Sequence, residues 1–394
     1  MKHPVRITLV AGARPNFMKI APVYGALREH PESFALQFIH TGQHYDDKMS
    51  RVFFEDLGLP EPDACLDIGS GTHGEQTARA LIGCERQLRE RHADLVIVVG
   101  DVNSTAAAAL AAAKLQVPVA HVEAGLRSGD RHMPEEINRI VTDHLSEILY
   151  THCADADDNL RREGIPDERI VFVGNVMIDT LVAFLPRAAQ STLLDRLQLA
   201  PQSYAVLTLH RPENVDNPEQ LGRVAELIEQ ITRMLPVVFP VHPRAAKNLA
   251  ALLSRSRWER IVENMNLRLI DPLGYIDFLR LEKDAAVVLT DSGGIQEETT
   301  FLGVRCLTLR ETTERPVTVT CGTNTCIGLD PQRAAQLVEE HLSHGPTPHL
   351  RLPSWDGMAA RRIVRHLCAY FELRPLAKQC EPKPARILQP LTEG

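Results

Sequence analysis

At 394 residues the chain has room for two or three domains of about 150 residues each, so it needs no disulfide or metal staple to hold a core. Hydrophobic residues at 44% and charged residues at 24% exclude a disordered or fibrous chain. With 43 Lys+Arg against 51 Asp+Glu the net charge is −8, a poor electrostatic footprint for a phosphate backbone, which argues against nucleic acid as the main partner.

Met1-Lys2-His3-Pro4 runs straight into the apolar segment Val5 to Val10 without an h-region and cleavage site, so no secretory signal is read and a cytoplasmic location is expected. Apolar stretches such as Leu95 to Gly100 and Ala106 to Ala113 fall far short of the roughly 20 residues that span a bilayer, so no membrane partner is expected. The 8 cysteines are scattered without a C-x-x-C pair, which predicts reduced, mostly buried thiols.

Along the chain, short runs rich in Val, Ile and Leu alternate with longer stretches of helical period, the pattern of βαβ units around a buried parallel sheet. Strands are predicted at Val5 to Val10, Leu36 to His40, Leu95 to Val99, Val117 to Val122, Ile148 to Tyr150 and Ile170 to Val173. After Asn175 the pattern restarts, with strands at Tyr204 to Leu209, Val237 to Val241, Leu267 to Ile270, Ala286 to Leu289 and Cys306 to Leu309. The predicted class is therefore α/β with two Rossmann-like, doubly wound domains, 1–185 and 186–355, joined through a polar linker over Pro186 to Ser203. From 374 to 394 the chain loses periodicity and gains proline, the composition of a poorly ordered or surface-bound tail.

In open α/β sheets ligands bind outside the carboxyl ends of the strands, so the polar residues that follow each apolar run are the site candidates. The first strand leads into Gly12-Ala13-Arg14-Pro15-Asn16-Phe17-Met18-Lys19, which places Arg14 and Lys19 beside a helix N-terminus, where an anion is stabilised. The spacing is not G-x-G-x-x-G, so the dinucleotide fingerprint is missing and a bound NAD is weakly supported. Asp101 and Glu123 end neighbouring strands, and Glu135 and Arg139 lie one turn apart on the helix that Pro134 opens. Clustered carboxylates beside arginines can hold unequal pKa values, as acid/base chemistry requires, although a solvated ion-pair network would use the same residue types.

In the second half His210 and His242 follow strand ends and could meet phosphate or transfer protons, or could be structural histidines held by backbone carbonyls. Asp291-Ser292-Gly293-Gly294 is a small-residue turn opening a helix, where Ser292, Gly293 and Gly294 would receive a phosphate. Glu298, further along that helix, is the type of residue that accepts from a ribose diol, and Arg315 adds a cation at the same edge.

Taken in order, GARPNFMK, HTGQHYD, VVGDVNST, HVEAGLRSGDRHMPEEINR, VGNVMID, LHRPEN, PVHPR, DSGGIQEE and TTERP closely resemble the non-hydrolysing UDP-N-acetylglucosamine 2-epimerases over roughly residues 5 to 370. The resemblance implies the GT-B architecture, with a C-terminal helix over residues 356–371 crossing back onto the first domain, and a homodimer. It implies reversible C2 epimerisation of a UDP-sugar by elimination of UDP to a 2-acetamidoglucal and re-addition, with no cofactor and no obligatory metal. By resemblance Asp101, Glu123 and Glu135 are acid/base residues and His210 sits by the diphosphate or the leaving oxygen. Arg14, Lys19 and Arg315 would hold phosphate charge, Ser292, Gly293 and Gly294 would supply donors, Glu298 would bind the ribose, and Arg139 would orient the sugar or its neighbouring carboxylates. Competing readings are a 2-epimerase of a UDP-2,3-diacetamido-uronate sugar, a hydrolysing epimerase and a GT-B glycosyltransferase.

Overall fold

The computed structural model describes residues 3–42, 54, 56–241, 243–345 and 352–372, with only the backbone described at Arg14, Pro212, Glu213, Pro243, Arg244 and His344. The tail predicted from 374 to 394, the QHYD end of HTGQHYD and His242 lie outside the described residues.

Two parallel sheets organise the described chain. The first is built from β1 (Val5–Ala11), β2 (Phe34–His40), β3 (Ala64–Cys65), β4 (Leu95–Val99), β5 (Val119–Val122), β6 (Ile148–Thr151) and β7 (Ile170–Phe172), in the order β3-β2-β1-β4-β5-β6-β7. The second comprises β8 (Ala205–Thr208), β9 (Val237–Pro240), β10 (Leu267–Ile270), β11 (Val287–Thr290), β12 (Arg305–Thr308) and β13 (Asn324–Cys326), in the order β10-β9-β8-β11-β12-β13. Helices cover both faces, which is why β4 reads Leu-Val-Ile-Val-Val with every residue buried. Each such aliphatic side chain stabilises the fold by roughly 1.5–3 kcal/mol relative to exposure. The alanine-rich helix Asn103–Lys114 needs little side-chain ordering and packs its small buried residues against β4 and β1.

The sequence overlooks β3 and β13, because each is only two or three residues long and lies at a sheet edge, where no apolar run is required. The linker predicted from Pro186 begins too early. Helix Val176–Ala189 runs through Pro186 and a further helix spans Leu193–Arg196, because burial of Ile178, Leu181, Phe184 and Ala188 outweighs the proline's lost N–H bond.

Helix Val176–Ala189 stands between the two sheets: Thr180 Oγ1 donates to the Met18 carbonyl at 2.6 Å, and Leu181 and Phe184 pack with Leu279 and Tyr275. The final described helix, Ala359–Tyr370, returns to the first sheet and buries Ile363, Val364 and Leu367 in the core of β1 and β4. Its N-terminus is capped from a distance, since Asp179 accepts from the N–H groups of Ala359 at 3.0 Å and Ala360 at 2.7 Å. Burial pushes the Asp179 carboxyl up to about 6 despite those two donors. Trp355 locks the approach by donating to the His152 carbonyl at 2.8 Å.

Candidate functional site

In both sheets the strand order reverses beside the first strand, at β1/β4 and at β8/β11, and the loops leaving the carboxyl ends there form one crevice. Beyond β1 the chain can turn into helix Arg14–Arg28 only because Gly12 has no side chain: a Cβ there would lie 2.4 Å from Ser104 Oγ and 2.7 Å from Thr41 Oγ1. Asn16 ties this turn to β4 by donating to the Val99 carbonyl at 2.9 Å. One helical turn later Lys19, buried, reaches the end of β5.

The residue it meets there is Glu123, which adopts a left-handed backbone at φ 74°. For a residue with a Cβ this conformation costs of order 1–3 kcal/mol and persists only where its surroundings impose it. Glu123 Oε2 pairs with Lys19 Nζ, and Glu123 Oε1 accepts from Arg315 Nη2 at 2.7 Å. A carboxylate of the first sheet is thus held between a cation of its own half and one contributed from beyond β12. Burial alone would raise the Glu123 carboxyl, but Lys19 and Arg315 outweigh it and hold the group below its ordinary value.

Arg315 is itself surrounded. Its Nε lies 3.0 Å from Glu297 Oε1, its Nη1 bonds Glu314, and Arg310 Nη2 closes on Glu314 at 2.9 Å. Burial opposes ionisation of Glu297, yet Arg315 and His152 bring its carboxyl down to about 2. His152 Nε2 lies 3.0 Å from Glu297 Oε1, so the first half touches the second again at this point.

Asp101 lies in the turn that follows β4, and its Oδ2 accepts from Arg139 Nε at 3.0 Å and Nη2 at 2.8 Å. Asn138 donates to the Asp101 carbonyl at 2.9 Å, so neighbouring residues of helix Pro134–Leu145 hold its side chain and backbone together. Glu135 stays apart and makes no ion pair among the described residues. Its neighbour Glu136, passed over in the sequence, is buried, accepts from Arg139 Nη1 at 2.6 Å, and takes the N–H groups of Ser128 and Gly129 at 3.0 and 2.9 Å. Beneath this group His121 places both ring nitrogens on acceptors, Asp143 Oδ1 at 2.6 Å and the Gly100 carbonyl at 2.8 Å, which fixes the turn that carries Asp101.

Across the crevice Asp291 organises the loop after β8. It accepts from the backbone N–H groups of His210 and Arg211 and from Asn214 Nδ2, and its Oδ1 lies 2.7 Å from His210 Nδ1. Burial would raise the Asp291 carboxyl, but His210 and these donors hold it down. The His210 side chain remains 58% exposed and is free to meet a ligand at Nε2. Ser292 precedes helix Gly293–Leu302 without capping it through its side chain, so its hydroxyl is not spent on the helix. Gly293 is needed for a reason the sequence does not reveal: a Cβ there would fall 2.3 Å from Arg315 Nη1 and 2.7 Å from Glu314 Oε1. Gly294 has ordinary room, with Met177 Cε at 3.8 Å. Glu298 is buried on that helix, accepts from Tyr275 Oη at 2.8 Å, and meets the buried carboxyl of Glu282.

The site therefore brings together Lys19, Glu123 and Arg315, joins Asp101 to Arg139, and sets His210 beside the turn of Ser292, Gly293 and Gly294. Sequence reasoning missed Glu136, Glu297, Glu314, His152 and Glu282. The first three stand inside motifs already singled out, next to residues that were named, whereas nothing local marks His152 or Glu282. Among the described residues no group of three or more His, Cys, Asp and Glu side chains is arranged to hold a metal ion. No described helix is long and apolar enough to cross a membrane.

Two doubly wound sheets sharing one crevice, with the last helix returned to the first sheet, define a GT-B-type protein with a charged interdomain site. Residues 25–368 match the family model described as UDP-N-acetylglucosamine 2-epimerase, and the chain belongs to that family. It is 42% identical to the UDP-N-acetylglucosamine 2-epimerase of Methanocaldococcus jannaschii over 368 residues, 92% of this chain and 99% of that protein. It is 44% identical to the UDP-2,3-diacetamido-2,3-dideoxy-D-glucuronate 2-epimerase of Pseudomonas aeruginosa over 328 residues, 82% of this chain and 88% of that protein. The crystal structure of the M. jannaschii enzyme in complex with UDP-GlcNAc and UDP superposes with a TM-score of 0.84 at 42% identity, covering 93% of this chain and all of that one.

Proposed function

We propose that this chain reversibly epimerises UDP-N-acetylglucosamine to UDP-N-acetylmannosamine at C2. The C2 proton is not α to a carbonyl, so simple deprotonation is too costly. The route instead couples removal of that proton to cleavage of the C1–O bond, releasing UDP and leaving a 2-acetamidoglucal; UDP then adds back to C1 as a proton reaches the opposite face of C2. The protein's task is to supply carboxyl groups around C2 and to stabilise the charge that builds on the departing diphosphate.

The observation that carries this reading is Glu123, strained at the end of β5 and held ionised between Lys19 and Arg315. A base must be ionised to take a proton, and a base flanked by two cations sits where a diphosphate would also be held. Asp101 and Glu123 are the acid/base residues, with Glu135 as a third candidate from the helix that carries Arg139. Arg139 orients Asp101, while Lys19 and Arg315, with Arg14, hold phosphate charge. His210 meets the leaving oxygen, the Ser292-Gly293-Gly294 turn donates to the diphosphate, and Glu298 accepts from the ribose. In this reading residues 1–185 and 356–371 form one half of a cytoplasmic homodimer's subunit and 186–355 the UDP-binding half.

Incubation with UDP-N-acetylglucosamine in D2O, followed by NMR without added cofactor, tests the proposal. The expected product is the UDP-manno epimer with deuterium at C2. Free N-acetylmannosamine with UDP would reassign the chain as a hydrolysing epimerase. Turnover confined to the diacetamido-uronate nucleotide sugar would move it to the chemistry named for its P. aeruginosa relative.

A further inference from the structure

Glu282 lies on helix Tyr275–Lys283, fully buried, and has no part in the chemistry above. No N–H or O–H donor among the described residues reaches either of its carboxylate oxygens in a hydrogen bond. Among the described residues the group that meets it directly is the carboxyl of Glu298 on helix Gly293–Leu302, which accepts from Tyr275 Oη at 2.8 Å. The other titratable groups in electrostatic reach among the described residues are the Tyr275 hydroxyl, which is spent on Glu298, and the buried Cys306 thiol on β12; neither supplies a positive charge. An ionised Glu282 would be an anion without solvent, donor or counter-ion, pressed against a second carboxylate. Protonated, it is an O–H donor with an acceptor in front of it.

We propose that Glu282 is a positioning residue: it keeps its proton, points that O–H at Glu298 as a hydrogen-bond donor, and so favours the ionised form of Glu298 and aims it as the acceptor for the ribose hydroxyls of UDP. This rests on the reading of Glu298 as the ribose acceptor. A carboxylate offers about four acceptor positions. Tyr275 and Glu282 occupy two, and the remaining two match the pair of hydroxyls on a ribose. Burial pushes Glu282 well above the ordinary carboxyl range, whereas the hydrogen bond from Glu282 works against the burial that raises Glu298. Removal of the donor therefore leaves Glu298 more readily protonated, and a protonated Glu298 loses acceptor capacity toward the diol.

The test is UDP affinity by titration calorimetry from pH 6 to 9, for the wild-type chain and for Glu282→Leu, Glu282→Gln and Glu298→Gln; the pH range brackets the value of about 7 to which Glu298 is raised. Glu282→Leu is expected to bind UDP on the order of tenfold more weakly near neutral pH and to recover affinity as pH rises, because Glu298 ionises later without its donor. Glu282→Gln, whose amide still donates, is expected to match the wild type near neutral pH. For Glu282→Leu the loss should fall on KM for the UDP-sugar and leave kcat nearly unchanged, since the ribose bond is the same in ground and transition states. Infrared spectra give a second readout: the protonated-carboxyl band of the wild type should vanish in Glu282→Gln, which decides the matter even if Glu282→Leu does not fold. Wild-type affinity and pH profile in a folded Glu282→Leu, or absence of that band, overturns the proposal while weak binding by Glu298→Gln keeps the ribose reading. Wild-type affinity in Glu298→Gln overturns both.

Discussion

Replacing Glu123 by Gln keeps the shape of the side chain and one acceptor oxygen while removing the charge that joins the two halves. Lys19 and Arg315 do not suffer equally. Arg315 keeps Glu297 and Glu314, but Lys19 is buried with Glu123 as its ion-pair partner among the described residues. Breaking a buried pair by neutralising one member costs roughly 3–5 kcal/mol, and the retained acceptor puts this variant at about 3 kcal/mol. That cost should lower Tm by several degrees. Because the folded Glu123 carboxyl lies below its ordinary value, the stability it contributes is complete above the unfolded carboxylate range and is lost as pH falls through the folded value. The Tm gap between wild type and variant should therefore be widest at neutral pH and close on acidification. If Glu123 is an acid/base group, turnover in the D2O assay should fall by about 100-fold or more. UDP affinity measured by calorimetry should hold or increase, because the substitution removes a negative charge from beside two phosphate-binding cations. Turnover within about threefold of wild type would refute the assignment, and a parallel collapse of UDP binding would make Glu123 an organiser of the phosphate site instead.

Asp101→Asn should cut turnover by about 100-fold while largely sparing UDP affinity, since Asp101 is hydrogen-bonded to Arg139 of its own half and acts on Arg315 only through space; unaltered kinetics would remove it from the mechanism. Gly293→Ala would place a methyl group 2.3 Å from Arg315 Nη1, and because three carboxylates hold that guanidinium in place, a loss of about 1–3 kcal/mol in stability is expected together with impaired turnover. A wild-type melting curve would show that Arg315 moves aside freely. Asp179→Ala should uncap helix Ala359–Tyr370 and cost about 1–2 kcal/mol, read as earlier exchange of the Ala359 and Ala360 amides. The wild-type Asp179 carboxyl is raised to about 6, so its ionisation opposes folding, and its contribution to stability should decline as pH rises from about 4 through 6.

Much of this protein is legible in its residues. Five consecutive aliphatics mark β4 as a strand covered on both faces, and the same pattern locates every central strand of both sheets, because a parallel strand buried on two sides must be apolar throughout. The small-residue turn after β11 announces itself for a similar local reason: a chain that enters a helix directly from a strand has few residue types to choose from. Asp101, Glu123 and His210 are found because the ends of buried strands are where a parallel sheet exposes polar groups.

What lies between those ends is decided only in three dimensions. Glu123 and Arg315 are 192 positions apart, and no spacing rule pairs them. Glu136 is preferred to Glu135 as the partner of Arg139 because the Ser128 and Gly129 amides are waiting on its side of the helix. Gly293 is a glycine because a guanidinium from another loop fills the space of its side chain. Glu282, which nothing local in the sequence singles out, is sealed against Glu298 by the packing of helices Tyr275–Lys283 and Gly293–Leu302. Local pattern determines elements because it reflects periodic burial within one segment. Charge pairing and protonation depend on distance and dielectric between segments, and those exist only after the two sheets have closed on each other.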